Sequence, residues 1–142
     1  MDYQCDIIIN MNETNPKYKV FLIDDDKFLL DMYALKFTKN GAVIEFATNG
    51  ADMIKKLEGG YVPDVVVIDV VMPGMSGLET IEEVRKKKLI ENVPVVVLSN
   101  QSQNSDFDKA KSLGVKAYIV KASTIPSEVV EQVTRIINES KK

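Results

Sequence analysis

The sequence predicts an α/β fold, a doubly wound domain whose five-stranded parallel sheet carries helices on both faces. Short apolar runs such as residues 65–68 and 95–98 show no polar alternation, which is typical of strands buried on both faces. Five such runs are each followed by a helical pattern, and this strict alternation favours a parallel sheet. A length of 142 residues suits one domain of this kind.

Turn residues and apolar periodicity place the elements in order. The predicted strands are residues 20–23, 43–47, 65–68, 95–98 and 117–120. Asn40 ends the first helix, and Ser76 with Glu79 has the spacing of a capping box that starts the third. Pro126 fits the first turn of the last helix, where its missing N–H costs nothing. The inward residues of that helix are predicted to be Val129, Val133 and Ile136.

Composition restricts the function classes and the setting. A net charge of −3 gives no reason to expect a nucleic-acid surface, and no apolar run approaches the ~20 residues that span a bilayer. The chain has no histidine, which excludes His-based triads and His metal sites. The single cysteine, Cys5, excludes an intramolecular disulfide, and a cytoplasmic location is therefore predicted. Residues 1–17 are polar and are predicted to be a flexible N-terminal extension.

Polar side chains follow four of the five predicted strands. The first strand is followed by Asp24 and Asp25, the third by Asp69, the fourth by Ser99 and the fifth by Lys121. Because right-handed crossovers bring the carboxyl ends of parallel strands to one edge, these side chains are expected to meet there.

The chemistry of these groups indicates phosphoryl transfer with a metal ion. Neighbouring carboxylates repel one another unless a cation joins them, and an oxygen-only ligand set suits Mg²⁺. In this interpretation Mg²⁺ and Lys121 neutralise the phosphoryl charge and Ser99 hydrogen-bonds a phosphoryl oxygen. Asp69 is then the nucleophile.

Each of these residues also has a purely structural explanation. An acidic triplet can cap the next helix, and an aspartate before Pro-Gly can serve the turn. A single Ser or Lys at a strand end is commonly structural. The coincidence of four strands that all deliver a fitting group favours a site.

With these residues in register, the chain resembles a response-regulator receiver domain, the phosphoacceptor half of two-component signalling. Four segments carry the resemblance: Leu22-Ile23-Asp24-Asp25-Asp26, Asp69 with Met72-Pro73-Gly74-Met75-Ser76-Gly77, Val97-Leu98-Ser99, and Tyr118-Ile119-Val120-Lys121. The resemblance implies a flavodoxin-like (βα)5 fold with strand order 2-1-3-4-5 and a receiver domain over residues 18–142.

The resemblance also implies a role for each matching residue. Asp69 would accept a phosphoryl group, and Mg²⁺ would be held by Asp24, Asp25, Asp69 and the backbone carbonyl of Val71. Ser99 would turn inward to bind the phosphoryl group, and Tyr118 would follow it from an exposed to a buried rotamer. The surface formed by the fourth helix, the fifth strand and the fifth helix would change with this switch.

The partners implied by the resemblance are other signalling proteins. A sensor histidine kinase or a phosphotransfer protein would supply the phosphoryl group. A downstream protein, or an output domain that these 142 residues do not contain, would receive the signal, and a phosphorylation-dependent homodimer would be compatible with it. Such a domain is not an enzyme in the usual sense, since it promotes only its own phosphorylation and dephosphorylation. No membrane or direct nucleic-acid contact is implied.

Two departures from the family pattern affect the site. Proline usually follows the lysine, often after a cis peptide, but Ala122 follows Lys121 here. Because a cis bond to a non-proline residue costs ~2.5–4 kcal/mol, a trans bond with a slightly different lysine position is expected, with a strained cis bond as the alternative. Val71 is apolar where many relatives carry a polar side chain near the attacking water, which predicts altered, slow dephosphorylation.

Two rival interpretations are kept. A haloacid-dehalogenase-like phosphatase would use Asp24 as nucleophile, within the Asp-x-Asp spelled by residues 24–26. Such enzymes need further acidic ligands on a later strand, whereas the later glutamates here fall in the last helix. The other rival is a receiver-like scaffold that is not phosphorylated. Nucleotide-binding α/β domains are disfavoured because neither G-x-G-x-x-G nor G-x-x-x-x-G-K-[ST] is present.

Overall fold

The computed structural model of the protein describes residues 17–100 and 104–140. Lys17 is exposed and directly precedes the first strand. The rest of the predicted N-terminal extension, residues 1–16, lies outside the described part of the chain.

Five parallel strands form one sheet in the order β2-β1-β3-β4-β5, as predicted. The strands are β1 (Tyr18–Ile23), β2 (Ala42–Ala47), β3 (Val65–Ile68), β4 (Val95–Ser99) and β5 (Ala117–Val120). The helices are α1 (Lys27–Lys39), α2 (Gly50–Glu58), α3 (Gly77–Lys86), α4 (Asn104–Ser112) and α5 (Pro126–Ser140). A single 3₁₀ turn, Lys121–Ser123, connects β5 to α5. The predicted α/β fold class is therefore confirmed.

The core consists of two apolar layers, one on each face of the sheet. Buried residues of α1 and α5, such as Phe37 and Val133, pack on one face, and those of α2, α3 and α4, such as Met53 and Ile81, pack on the other. Strand β3 lies between β1 and β4 and is buried along its whole length. This explains why its sequence has no polar alternation.

Local signals define the ends of the helices. The predicted capping box is present, because Ser76 Oγ accepts a hydrogen bond from the Glu79 amide and Glu79 Oε1 accepts one from the Ser76 amide. Helix α3 ends at Lys86, slightly before the predicted end at Lys88, which has a φ of 57°. No helix among residues 17–100 and 104–140 is long and apolar enough to cross a membrane.

The inward face of α5 is wider than predicted. Val129 and Val133 are fully buried as expected, Ile136 is partly buried and packs against the same layer, and Ile137 is also in the core with 1% exposure. The apolar stripe of this helix is wide enough to include both residues, and packing against α1 and the sheet buries Ile137 more fully.

Candidate functional site

The register of the sheet brings two predicted carboxylates together. Ile23 of β1 is paired with Ile68 of β3, so the residues that follow them, Asp24 and Asp69, leave adjacent strands at the same level. The Asp69 amide donates to the Ile23 carbonyl at 2.9 Å, which continues the ladder into the site. Neighbouring strands are ~4.8 Å apart, and the two side chains therefore lie side by side at the edge of the sheet.

Lys121 reaches the same point from β5. Its Nζ lies 2.7 Å from Asp24 Oδ2 and 3.8 Å from Asp69 Oδ2. The side chains of Lys121, Asp24 and Asp69 are 8%, 10% and 11% exposed. Such a lysine offsets part of the repulsion between the carboxylates, since its ammonium lies within ion-pair distance of both.

The acidic residues form a group with the composition of a hard-cation site. Carboxylate oxygens of Asp24, Asp25 and Asp69 lie within 4.8 Å of one another, and this is the one such group of possible ligands in residues 17–100 and 104–140. Asp25 is exposed, whereas Asp24 and Asp69 are buried, so the site opens to solvent on one side. An open, oxygen-only set fits Mg²⁺, which keeps several of its waters.

Asp26, the third aspartate of the triplet, caps a helix and is not part of the acidic group. Asp26 is the N-cap of α1, and its Oδ1 accepts from the amides of Phe28 and Leu29. Asp24 Oδ1 accepts from the Asp26 amide at 3.0 Å. The capping explanation of the triplet thus applies to Asp26, and it leaves the side chain of Asp25 directed to the open side of the group.

The environment of Asp69 favours its protonated form more than water does. Burial raises the pKa of Asp69, the positive charge of Lys121 opposes this shift, and Asp24 adds to it. The amides of Val70 and Val71 donate to the Asp69 carboxylate and stabilise its charged form. The carboxylate is therefore held in place by its own turn, beside a second negative charge.

A close helix contact fixes that turn. The Gly77 amide donates to the Val70 carbonyl at 2.7 Å, and a Cβ at position 77 would collide with the Asp69 carbonyl oxygen. Gly77 therefore lets the first turn of α3 pack directly on the backbone of Asp69. The sequence motif that contains Gly77 does not predict this contact, because the contact depends on how α3 packs against the turn after β3.

Ser99 and Tyr118 lie on the β4–β5 side of the site. Ser99, at the end of β4, is fully buried, and Tyr118 of β5 is partly buried. Burial raises the pKa of Tyr118, and a side-chain hydrogen bond with Ser99 opposes part of this shift. Tyr118 also contacts the ring of Phe107 on α4, with the centroids 4.3 Å apart.

The chain around Lys121 has an ordinary backbone. The described residues contain no cis peptide bond, so the Lys121–Ala122 bond is trans, as expected from the sequence. Lys121 begins the 3₁₀ turn, and its ammonium still reaches Asp24. The replacement of the usual proline by Ala122 thus leaves the lysine in the site.

Val71 lies two residues after Asp69 and has a 53% exposed side chain. Phe28, after β1, and Ile125, after β5, are also exposed apolar residues, at 79% and 60% exposure. The sequence pattern does not predict the exposure of Phe28 and Ile125, because exposure depends on tertiary packing.

The fold and the site together define the class of the protein. Strand order 2-1-3-4-5, with an acidic group and a lysine at the carboxyl edge of β1, β3 and β5, is a flavodoxin-like α/β domain with a polar site at its switch point. The family model of the response regulator receiver domain matches residues 20–134, and the chain belongs to this family.

Curated relatives are longer proteins. The chain is 30% identical to the regulator of RpoS of Escherichia coli K12 over 103 residues, which cover 72% of this chain and 30% of that protein. It is 30% identical over 122 residues to a CpxR homolog, a transcriptional regulatory protein of Haemophilus influenzae, covering 86% of this chain and 51% of that protein. The chain therefore spans about half or less of the length of these relatives.

Solved structures of receiver domains have the same fold. A CheY-like receiver domain from Methanospirillum hungatei superimposes with a TM-score of 0.81 over 89% of this chain and 98% of that one, at 20% identity. The response regulator TrrA of Thermotoga maritima, whose structure is a complex with Mg²⁺ and BeF, has a TM-score of 0.72 and 28% identity over 84% of this chain and 98% of that one.

Proposed function

We propose that this receiver domain takes a phosphoryl group from a histidine kinase or a phosphotransfer protein onto Asp69. One observation carries the proposal. Asp69 follows β3, the middle strand of the sheet, with carboxylate oxygens of Asp24 and Asp25 within 4.8 Å and the Lys121 ammonium 3.8 Å away. A nucleophile in this position has both the proposed metal ligands and a cation within a few ångströms.

Mg²⁺ is the cofactor that fits this site. Asp24, Asp25 and Asp69 would hold it through carboxylate oxygens, and the Val71 backbone carbonyl would be a further ligand. When bound, Mg²⁺ neutralises charge on the phosphoryl oxygens during transfer. The clustering of three carboxylates, of which that of Asp25 is exposed, supports this assignment.

The chemical step is an in-line substitution at phosphorus. A carboxylate oxygen of Asp69 attacks, and its new P–O bond forms as the P–N bond to the donor imidazole breaks. The departing nitrogen keeps the electron pair and takes up a proton from solvent. Lys121 moves its ammonium from Asp24 to a phosphoryl oxygen, and the Ser99 hydroxyl donates to a second one.

The product differs from the starting domain by an added negative group beside Ser99. We propose that Ser99 and Tyr118 respond to this group, and that the surface of α4, β5 and α5 changes with them. The proximity of Tyr118 to Ser99, and of α4 to Tyr118, supports a path from the site to this surface.

The partners are therefore signalling proteins on both sides of the reaction. The signal passes from this domain to a downstream protein or an output domain, because the curated relatives are regulators longer than this chain. A phosphorylation-dependent homodimer is compatible with an exposed α4–β5–α5 surface.

We propose a cytoplasmic location, since histidine kinases form their phosphohistidine from ATP. The domain promotes only its own phosphorylation and dephosphorylation.

Asp69 is a better nucleophile here than Asp24, which the phosphatase alternative would use. Asp24 Oδ2 is in a 2.7 Å ion pair with Lys121, and Asp24 Oδ1 accepts from the Asp26 amide. Asp24 thus makes the closer contact with Lys121, whereas Asp69 Oδ2 lies 3.8 Å from the ammonium.

Mapping the modified residue tests the assignment. The protein is incubated with acetyl phosphate and Mg²⁺, the acyl phosphate is trapped by borohydride reduction, and peptides are sequenced by mass spectrometry. We expect the modification on Asp69. Label on Asp24 would establish the phosphatase-like chemistry, and no label on any residue would favour the unphosphorylated scaffold.

A further inference from the structure

We propose that Phe107 is a positioning residue that holds Tyr118 against Ser99 before any phosphoryl group arrives. The contacts of Phe107 are independent of the proposed function, whereas their expected effect on phosphorylation rests on it. It assigns to α4 a specific side chain through which the helix and the site influence each other.

The contacts form a chain of three side chains. The rings of Phe107 and Tyr118 have centroids 4.3 Å apart and an angle of 37° between their planes. Tyr118 makes its side-chain hydrogen bond with Ser99, which is fully buried at the end of β4. Ser99 is paired in register with Val120, so Lys121 is the next residue on the neighbouring strand.

Each end of Tyr118 is therefore engaged by a different element. The ring contacts α4 through Phe107, and the hydroxyl contacts β4 through Ser99. A tyrosine side chain on an exposed edge strand would otherwise sample several staggered rotamers. The aromatic contact favours the rotamer that also makes the hydrogen bond, and the Ser99 hydroxyl is thereby kept at the β4–β5 side of the site.

Phe107 is not required for the core. Its side chain is 38% exposed, and it belongs to neither apolar layer, whereas Ala110 anchors α4 with 2% exposure. An ion pair of 3.4 Å between Lys109 and Glu82 also connects α4 to α3. Truncation of Phe107 should therefore release Tyr118 without unfolding the helix.

The consequence is reciprocal coupling between α4 and the site. A displacement of α4 that separates the two rings removes the contact that orients Tyr118, and the hydrogen bond between Tyr118 and Ser99 is then weakened. A phosphoryl group that draws Ser99 toward it strengthens the same contact, because coupling between two sites acts in both directions. In the unphosphorylated protein, Tyr118 is partly buried and hydrogen-bonded to Ser99.

The positioning role is tested by NMR on the unphosphorylated protein. Wild type, Phe107→Ala, Phe107→Tyr and Phe46→Ala are compared. Phe46 is a matched control, since it is an exposed phenylalanine on β2 at the opposite edge of the sheet. We expect cross-relaxation between the Tyr118 ring and Ser99 in wild type, Phe46→Ala and Phe107→Tyr, and a loss of about two- to tenfold in Phe107→Ala, as for removal of one aromatic pair.

An unchanged Tyr118–Ser99 signal in Phe107→Ala, with the melting temperature also unchanged, would overturn the inference. The rate of phosphorylation by acetyl phosphate gives the second measurement. We expect Phe107→Ala to lower it about two- to tenfold and Phe107→Tyr to restore it. A rate equal to wild type despite a released Tyr118 would refute the link to Ser99. If no variant, wild type included, is phosphorylated, the proposed function fails and the NMR result still decides the positioning role.

Discussion

Lys121 makes its shortest ion pair, 2.7 Å, with Asp24 rather than with the proposed phosphoacceptor. Both side chains are about nine-tenths buried, so water screens the pair only weakly. The lysine therefore neutralises a proposed metal ligand in this state, and Mg²⁺ bound at Asp24 would leave the ammonium available to a phosphoryl group.

Lys121→Met should destabilise the metal-free protein. The substitution leaves the neighbouring carboxylates without their cation, and we expect a loss of about 2–4 kcal/mol in the free energy of unfolding at pH 7. Urea denaturation with EDTA measures it. Lys109→Met is the control, because its pair with Glu82 is exposed and should contribute less than about 1 kcal/mol. Equal losses in the two variants would show that burial of the Lys121 pair has no special effect.

Asp69→Asn should stabilise the metal-free protein at neutral pH. Burial raises the pKa of Asp69 in the folded state, with Lys121 opposing and Asp24 reinforcing the shift. The contribution of this group is most favourable below its unfolded pKa and is lost as the pH rises through the folded pKa. At pH 7 the ionised Asp69 therefore costs free energy that Asn does not.

Thermal or urea unfolding from pH 7 to pH 4 measures this difference. We expect Asp69→Asn to be more stable than wild type by about 1 kcal/mol at pH 7, with the advantage shrinking as the pH falls. Asp108→Asn, which changes an exposed aspartate of α4, is the control. A wild type that is the more stable protein at pH 7 in EDTA would contradict the prediction.

Gly77→Ala should damage both the fold and the site. The added Cβ collides with the Asp69 carbonyl oxygen, so α3 or the turn after Asp69 must shift. We expect a loss of about 1–3 kcal/mol and slower phosphorylation by acetyl phosphate. Gly59→Ala is the matched control, since its Cβ would meet only carbonyl oxygens at 3.5 Å. If Gly77→Ala behaves like Gly59→Ala, the close approach of α3 is not a constraint on Asp69.

Val71→Asn should shorten the lifetime of the phosphorylated protein. Val71 is 53% exposed and stands two residues after Asp69, where an apolar side chain cannot hydrogen-bond an attacking water. An asparagine can orient that water, and we expect dephosphorylation to be several-fold faster, with Val71→Ile as a control that retains the slow rate. Decay of the phosphorylated species after removal of acetyl phosphate gives the half-life. An unchanged half-life in Val71→Asn would refute the role of this position.

Most of the fold was predictable because its signals are local. The apolar run of β3, the acidic end of β1 and the capping box at Ser76 each depend on a few neighbouring residues. The deeper burial of Ile137 than of Ile136 was not predictable in this way. Both fit the apolar stripe of α5, and only packing against α1 and the sheet separates them.

The site was predictable as a set of residues but not as an arrangement. Parallel register brings Asp24 and Asp69 together whatever their neighbours are. The preference of Lys121 for Asp24 and the contact between Phe107 and Tyr118 depend on side-chain rotamers and on the placement of α4, which the sequence pattern does not specify.

The most direct test of the account is the intact mass of the protein after incubation with acetyl phosphate. We expect wild type to gain the mass of one phosphoryl group with Mg²⁺ and to lose this gain in EDTA. Asp69→Asn should gain nothing under either condition, while Asp108→Asn should behave like wild type. A phosphoryl group on Asp69→Asn at the wild-type level would contradict the assignment of Asp69 as the phosphoacceptor.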